Sequence, residues 1–333
     1  MKLQSIISMT FFLLFSALSL IYLDLLQYSD KAADTGLMEK VVTVYPGQGF
    51  DDLADRLYES GIIKNPIKFK LFARIKGYDK RIKAGEYTLS PSMPPVRIFE
   101  VLVRGKVRLY RVTIPEGYNL RQIASIIAAT GFSGEADFLS AATDPLLVHE
   151  MGIDADTFEG YLFPDTYFLP KGITPKEIIA RMVKRFQSVF TLEWKRQVAK
   201  LHFSIHQVVT LASLIEKETG SDFEHPIVSS VFHNRLKRKM CLESDPTVIY
   251  GINDFDGNIT RKHLLTPTPH NTYTKMGLPP GPIANSGIKA IEAALYPADT
   301  DFLYFVSKKD GTHKFSTNIK DHNRAVRKYQ LRQ

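Results

Sequence analysis

The pattern of hydrophobic and polar positions predicts a mixed α+β protein. Apolar residues three and four positions apart predict helices, and short alternating or continuous apolar runs bounded by turn residues predict strands. The predicted helices cover residues 50–58, 96–103, 120–127, 178–190, 207–219, 229–236, 287–295 and 321–329. The predicted strand segments, some ending in a turn, cover residues 41–47, 83–89, 112–117, 302–306 and 314–316.

An apolar stretch near the amino terminus stands apart from this pattern. The stretch from Ile6 to Leu23 carries no charged side chain, and it is long enough for a short membrane span. A cleaved signal peptide is the competing interpretation, but its small-residue triplet at 17–19 lies inside the apolar stretch. We therefore expect residues 1–26 to form a cytoplasmic tip and an uncleaved single-pass anchor in the cytoplasmic (inner) membrane. Because Lys2 precedes the stretch, the bulk of the chain should be extracytoplasmic, on the periplasmic side.

One arrangement occurs twice after the anchor. Val41–Gly47 and the helix at 50–58 form a strand, a glycine turn and a helix, and Val112–Gly117 with the helix at 120–127 repeats this order. This similarity predicts a duplicated α/β module within residues 41–150. The arrangement resembles the LysM glycan-binding module. A small spacer domain that binds nothing is the alternative.

A second, larger α+β domain is predicted for residues 154–333. It begins with the aromatic-rich segment 158–167, which suits either core packing or contact with sugar rings. Two loops rich in proline and glycine follow at 266–273 and 277–282. Loops of this length are uncommon unless they build a functional site, so these loops mark a candidate site.

Composition narrows the possible partners and chemistry. The chain has 333 residues and a formal net charge of +8, which favours anionic surroundings such as phospholipid or an acidic cell-wall polymer. No nucleic-acid-binding signature is present, so nucleic acid is not an expected partner. The single cysteine, Cys241, forms no intramolecular disulfide. The sequence contains no dinucleotide fingerprint, P-loop or metal-ligand motif, so we expect no cofactor and no metal.

The candidate catalytic residue lies in the predicted helix at 207–219. At about 100° per residue, Glu218 falls on the same helix face as the apolar residues Leu211, Leu214 and Ile215. Burial of a carboxyl group disfavours its charged form and raises its pKa, which suits a general acid. Glu216 and Lys217 point away from this face and are expected to be solvated. The alternative for Glu218 is a side chain that bends back to water at the helix end.

Two polar loops could complete such a site, one at 245–247 and one at 271–273. Glycoside hydrolases use two carboxyl groups, and Asp245 could be the second one. If a single carboxyl acts, an intramolecular nucleophile of the substrate must replace water. A third alternative is an anchored glycan-binding scaffold in which Glu218 is structural.

Six short motifs, in order along the chain, resemble the YceG-like family of membrane-anchored endolytic murein transglycosylases. They are L-A-S-L-I-E-K-E-T, V-F-H-N-R-L, S-D-P-T-V-I-Y-G, N-T-Y, G-L-P-P-G-P-I-A-N and L-Y-F-V, between Leu211 and Val306. The resemblance implies lytic cleavage of the MurNAc–GlcNAc β-1,4 bond in nascent peptidoglycan, leaving 1,6-anhydro-MurNAc ends. It implies that Glu218 is the catalytic acid, with Glu216 a supporting or surface residue.

The resemblance also implies which residues line the cleft and which proteins act nearby. By their positions in the motifs, the residues expected to hold the sugar are Asn234, Asp245, Thr247, Asn271 and Tyr273. The expected partners are peptidoglycan glycan strands, the membrane through the amino-terminal helix, and penicillin-binding synthases. The implied role is that of a terminase of strand elongation. Glu243 stands where the family often has glutamine, which affects local detail only.

Overall fold

A computed structural model describes residues 2–252 and 255–331, and it divides the chain into two compact units. Unit 1 comprises Met1–Tyr110 and Phe168–Gly172, and unit 2 comprises Arg111–Tyr167 and Ile173–Gln333. The mixed α+β class is confirmed. The predicted boundary between residues 150 and 154 falls inside unit 2, which therefore includes the second strand–turn–helix repeat. The outermost residues of the predicted ranges 1–26 and 154–333, Met1 and residues 332–333, lie outside the described residues, as do residues 253–254.

Unit 1 contains the apolar helix and a small α/β core. Its elements are α1 (Lys2–Ser29), β1 (Lys40–Val44), α2 (Phe50–Glu59), α3 (Pro66–Lys76), β2 (Gly85–Leu89) and α4 (Pro95–Arg104). Strand β1 pairs antiparallel with β2, with Val42 opposite Tyr87. The helices cover this pair, and the rings of Phe69 and Phe99 stack with centroids 4.1 Å apart. The structure does not identify this unit as a LysM module.

Helix α1 is long and apolar enough to cross a membrane between Ile6 and Ser29, with a mean hydropathy of 2.2. Its last turns differ from the rest because they pack into unit 1. Leu25 is buried in the unit 1 core, and the Lys68 ammonium lies 2.6 Å from the Asp24 carboxylate. The anchor is predicted to end at residue 26, but the helix continues to Ser29. Its last turns are part of the folded core of unit 1.

Two strands carry the chain across the division between the units. They are β3 (Leu109–Thr113) and β4 (Thr166–Pro170), which pair with each other. The predicted strand segment 112–117 overlaps β3 only at residues 112–113. No strand is predicted at β4, because its first residues belong to the aromatic-rich segment 158–167, which shows no clear alternation.

Unit 2 is mainly helical. Its helices are α5 (Leu120–Ala129), α6 (Glu135–Ala142), α7 (Pro145–Glu150), α8 (Pro175–Val189), α9 (Leu192–Lys200), α10 (Ile205–Glu218), α11 (His225–Lys237), α12 (Asp245–Tyr250), α13 (Arg261–Leu265), α14 (Ile288–Leu295) and α15 (Ile319–Tyr329). An antiparallel hairpin of β5 (Tyr304–Ser307) and β6 (His313–Ser316) packs beside α15. Helix α10 lies at the centre, in contact with α9, α11, α12 and α14.

Candidate active site

Helix α10 positions the candidate acid at its last residue. A capping box starts the helix: Ser204 accepts from the Gln207 backbone N–H, and the Gln207 side chain accepts from the Ser204 N–H. The predicted apolar positions are buried as expected. Every residue from Val208 to Ile215 is buried, however, so α10 is a core helix and not an amphipathic one. The helix ends at Glu218, and Thr219 is already extended.

The Glu218 side chain is half-buried, and its carboxyl group is hydrogen-bonded. The Ser244 hydroxyl donates to Glu218 Oε1 at 2.5 Å. Burial raises the pKa of Glu218 to about 7, and the negative charge of Asp245 also raises it. The Ser244 hydrogen bond and the positive charge of Arg235 lower this pKa, but burial has the larger effect. A large fraction of Glu218 is therefore protonated near neutral pH, as a general acid requires.

Asp245 and Tyr273 meet beside Glu218. Asp245 opens helix α12 and is exposed, and the Tyr273 hydroxyl donates to its Oδ1 at 2.7 Å. Burial and the neighbouring carboxylates raise the pKa of Tyr273, so its hydroxyl stays a neutral donor. The structure thus brings together three of the predicted site residues, Glu218, Asp245 and Tyr273.

The other three predicted residues use their polar groups inside the protein. Thr247 is fully buried, donates to the Ser244 carbonyl oxygen at 2.6 Å and lies 2.9 Å from the Thr272 hydroxyl. The buried Asn271 amide donates to three carbonyl oxygens between His263 and Thr266.

Asn234 has the same kind of environment in helix α11. Its side-chain amide donates to the carbonyl oxygens of Thr300 at 2.7 Å and Phe302 at 3.0 Å. These bonds hold the segment that leads into β5. Thr247, Asn271 and Asn234 therefore shape the loops around the site.

Arg235 is a residue that charge patterning misses. It begins the basic run Arg235, Lys237, Arg238 and Lys239, a pattern typical of a solvated face, but Arg235 itself is buried. Its guanidinium is buried and donates to the carbonyl oxygens of Leu303, Cys241 and Leu242 at 2.7–3.0 Å. It also lies 2.8 Å from the exposed Glu243 carboxylate. Arg235 therefore holds the turn that leads to Ser244.

Glu216 also departs from its predicted environment. The side chain is half-buried, and its carboxylate accepts from the backbone N–H of Gly287 at 3.1 Å. Gly287 is the N-cap residue of α14, where a carboxylate interacts favourably with the helix dipole. Burial raises the pKa of Glu216. Glu216 thus joins α10 to α14, and the prediction of a solvated residue is wrong.

The second proline- and glycine-rich loop, 277–282, lies against α10, where the His206 ring nitrogen is 2.8 Å from the Pro280 carbonyl oxygen. The Ile283 backbone N–H donates to the buried Ser213 hydroxyl at 3.0 Å. Within residues 2–252 and 255–331, no group of three or more His, Cys, Asp or Glu side chains is arranged to hold a metal ion. A carboxyl group with a raised pKa, beside a second carboxylate and a neutral tyrosine, makes this region a candidate acid/base site.

Comparison with known proteins shows the family of the chain. The sequence profile of the YceG-like family matches residues 42–328, and the chain belongs to that family. The chain is 34% identical over 304 residues to the endolytic murein transglycosylase of Bacillus subtilis (strain 168), covering 86% of this chain and 84% of the relative. It is 29% identical over 322 residues to the endolytic murein transglycosylase of Streptococcus pneumoniae R6, of which it spans 58%.

A solved structure gives the same assignment. The crystal structure of a yceG-like protein from Listeria monocytogenes superposes with a TM-score of 0.61 at 34% sequence identity. The match covers 86% of this chain and 98% of the Listeria chain. The resemblance seen in the six motifs is therefore confirmed.

Proposed function

We propose that the protein is a membrane-anchored lytic transglycosylase that cleaves the MurNAc–GlcNAc β-1,4 bond within nascent peptidoglycan strands. The observation that carries the proposal is the Glu218 carboxyl group, whose pKa burial raises to about 7 beside the Asp245 carboxylate. The names of the Bacillus and Streptococcus relatives support the substrate and the reaction type. The proposed product is a strand that ends in 1,6-anhydro-MurNAc.

The mechanism needs one carboxyl group acting twice. Protonated Glu218 donates its proton to the glycosidic oxygen, and the bond from this oxygen to the MurNAc anomeric carbon breaks. The Glu218 carboxylate then accepts the proton of the MurNAc 6-hydroxyl as that oxygen bonds to the anomeric carbon. Glu218 ends the cycle protonated, and no water is consumed. The Ser244 hydroxyl stabilises the carboxylate between the two steps.

The predicted substrate residues take two different roles in this proposal. Asp245 is exposed and Tyr273 is half-buried beside Glu218, so these two side chains contact the sugar. The Asp245 carboxylate stabilises positive charge near the anomeric carbon, and the Tyr273 hydroxyl orients that carboxylate. Thr247, Asn271 and Asn234 hold the loops that carry them. Glu216 ties α10 to α14 and supports the position of Glu218.

The anchor sets where the enzyme acts. Helix α1 would cross the cytoplasmic membrane once, with its amino terminus in the cytoplasm and unit 2 on the extracytoplasmic, periplasmic side. An enzyme held there reaches strands as penicillin-binding synthases extend them. Cleavage near the membrane would end elongation, which is the proposed terminase role. Glycan binding by unit 1, as in a LysM module, is part of this proposal.

A two-carboxylate muramidase is the second candidate. The exposed Asp245 carboxylate favours it, because it lies close enough to Glu218 to raise its pKa. The test is digestion of uncross-linked glycan strands by the full chain in detergent, with products weighed by mass spectrometry. Anhydro-ended fragments, one water lighter than hydrolytic fragments, support the lyase. Reducing ends support the muramidase, and intact strands support a non-catalytic scaffold.

A further inference from the structure

Glu159 in unit 2 is a buried glutamate that the mechanism does not use. Glu159 is 4% exposed and belongs to the aromatic-rich segment that precedes β4. Burial raises the pKa of Glu159 to about 7. Three groups from other segments donate to its carboxyl oxygens: the Leu120 backbone N–H and the Tyr250 hydroxyl to Oε2, at 3.2 and 3.1 Å, and the Asn285 amide to Oε1, at 3.1 Å. The backbone N–H of the adjacent Gly160 is a further hydrogen-bond partner.

The three donors come from three separate segments of unit 2. Leu120 begins α5, Tyr250 is the last residue of α12, and Asn285 lies three residues after the proline-rich loop 277–282. All of these donors are uncharged, so none of them supplies a positive charge to offset the desolvation of the Glu159 carboxylate. A buried polar network whose hydrogen bonds are satisfied gives a site a defined geometry, which offsets this desolvation cost. Here the two carboxyl oxygens of Glu159 bind all three segments at one place.

The Asn285 side chain cannot adapt to a change at Glu159. Its Oδ1 accepts from the Leu162 N–H at 2.8 Å, and its amide nitrogen also donates to the Tyr118 carbonyl oxygen at 2.9 Å. Rotation of this amide would break both bonds. The Leu120 N–H is fixed by the backbone. A neutral amide at position 159 would therefore place a donor against a donor in either orientation.

Helix α12 connects this network to the acid. Ser244 precedes the helix and donates to Glu218, whereas Tyr250 closes it and donates to Glu159. The helix has six residues and spans about 9 Å, so it transmits a displacement of one end to the other. We propose that Glu159 is a positioning residue for the Glu218 site, which fixes the far end of α12 and the Asn285 loop and thereby holds Ser244 against Glu218.

This inference rests on the proposed function, in which Glu218 is the catalytic acid. Its test compares the full chain in detergent with Glu159→Gln, Tyr250→Phe, the double variant and Glu193→Gln, an exposed control on α9. We expect Glu159→Gln and Tyr250→Phe each to lower kcat about tenfold at a nearly unchanged KM, because the acid is misplaced and not the sugar. The double variant should cost less than the product of the two single losses, since both act through one bond.

A second readout follows the acid itself. Infrared titration of the carboxylic acid band that disappears in Glu218→Gln reports the Glu218 pKa directly. Loss of the Ser244 hydrogen bond removes an effect that lowers this pKa, so the titration should move upward in both single variants and stay in place in Glu193→Gln. The inference is overturned if folded Glu159→Gln changes only thermal stability and leaves kcat and the Glu218 titration unchanged.

Tyr250→Phe keeps the test decisive if Glu159→Gln does not fold, because it removes one hydroxyl and preserves ring packing. If Tyr250→Phe folds and its Glu218 titration is the same as in wild type, that result alone would overturn the inference. A wild-type chain that leaves glycan intact would contradict the proposed function, whereas the infrared titration would still decide whether Glu159 positions the acid.

Discussion

The Ser244 hydroxyl donates to Glu218 Oε1 at 2.5 Å, across 26 residues of sequence that join α10 to α12. This bond lowers the pKa of Glu218, and the adjacent Asp245 carboxylate raises it. Consecutive residues therefore act on the acid with opposite sign, in addition to the larger effect of burial. Each influence can be removed by one substitution.

Ser244→Ala should move the alkaline limb of the pH profile of kcat/KM to higher pH. The substitution removes the hydrogen bond that favours the Glu218 carboxylate, so the acid stays protonated to higher pH. Turnover should fall about tenfold, because the carboxylate formed in the first step loses its donor. The control is Ser188→Ala, at an exposed position on α8. An alkaline limb at its wild-type position would contradict this assignment.

Asp245→Asn should move the same limb in the opposite direction. The substitution removes the negative charge that raises the Glu218 pKa, so the acid loses its proton at lower pH. The lyase should keep measurable activity below that limb, since its mechanism needs no second carboxylate. Asp222→Asn, at an exposed position before α11, is the matched control. Complete loss of activity at every pH in Asp245→Asn would favour the muramidase.

The raised pKa of Glu218 predicts a pH dependence of stability. Because the folded-state pKa of about 7 lies above the ordinary value of 4.5, the contribution of this group is fully present below about pH 4.5 and is lost as pH rises through 7. The loss amounts to about 3 kcal/mol. Glu218→Gln should therefore be more stable than wild type at pH 8, by a margin that shrinks toward pH 5. Thermal unfolding at both pH values measures this, and an equal difference at both contradicts it.

Arg235→Lys should destabilise unit 2 and leave the charge near Glu218 in place. Lysine cannot reproduce the fork that donates to the carbonyl oxygens of Leu303, Cys241 and Leu242, so buried acceptors lose their donors. We expect a loss of about 2–3 kcal/mol in thermal unfolding. Arg238→Lys, an exposed control, should behave as wild type. Equal unfolding temperatures for both variants would refute the structural role of Arg235.

Local periodicity predicts much of the fold and the helix that carries Glu218. The apolar spacing in α10 and the strand–turn–helix repeats depend on neighbouring residues, so a window of the sequence contains the signal. Helix α12 is missed because six residues with a proline at the second position give no helical period. Helix α3 is missed although Asn65 caps it and Pro66 begins it, which are recognisable start signals.

The features of the fold and of the candidate site that sequence patterning misses depend on long-range contacts. Ser244 meets Glu218, Arg235 meets the carbonyl oxygens of distant turns, and Glu216 caps α14, and none of these pairings leaves a periodic trace. The pairing of β3 with β4 likewise joins segments more than fifty residues apart. The pattern of charged residues places Arg235 and Glu216 in solvent because charged side chains are mostly exposed. It contains no information on the distant backbone groups to which these two side chains hydrogen-bond.

The measurement that tests the central claim most directly is the rate of fragment release from uncross-linked glycan strands by the full chain in detergent. Wild type is compared with Glu218→Gln, Glu216→Gln and the exposed control Glu193→Gln. Loss of the general acid should slow Glu218→Gln by at least about 100-fold with its fold intact. Glu216→Gln should lose no more than about tenfold, and Glu193→Gln should match wild type. Folded Glu218→Gln that cleaves at the wild-type rate would contradict the assignment of Glu218 as the acid.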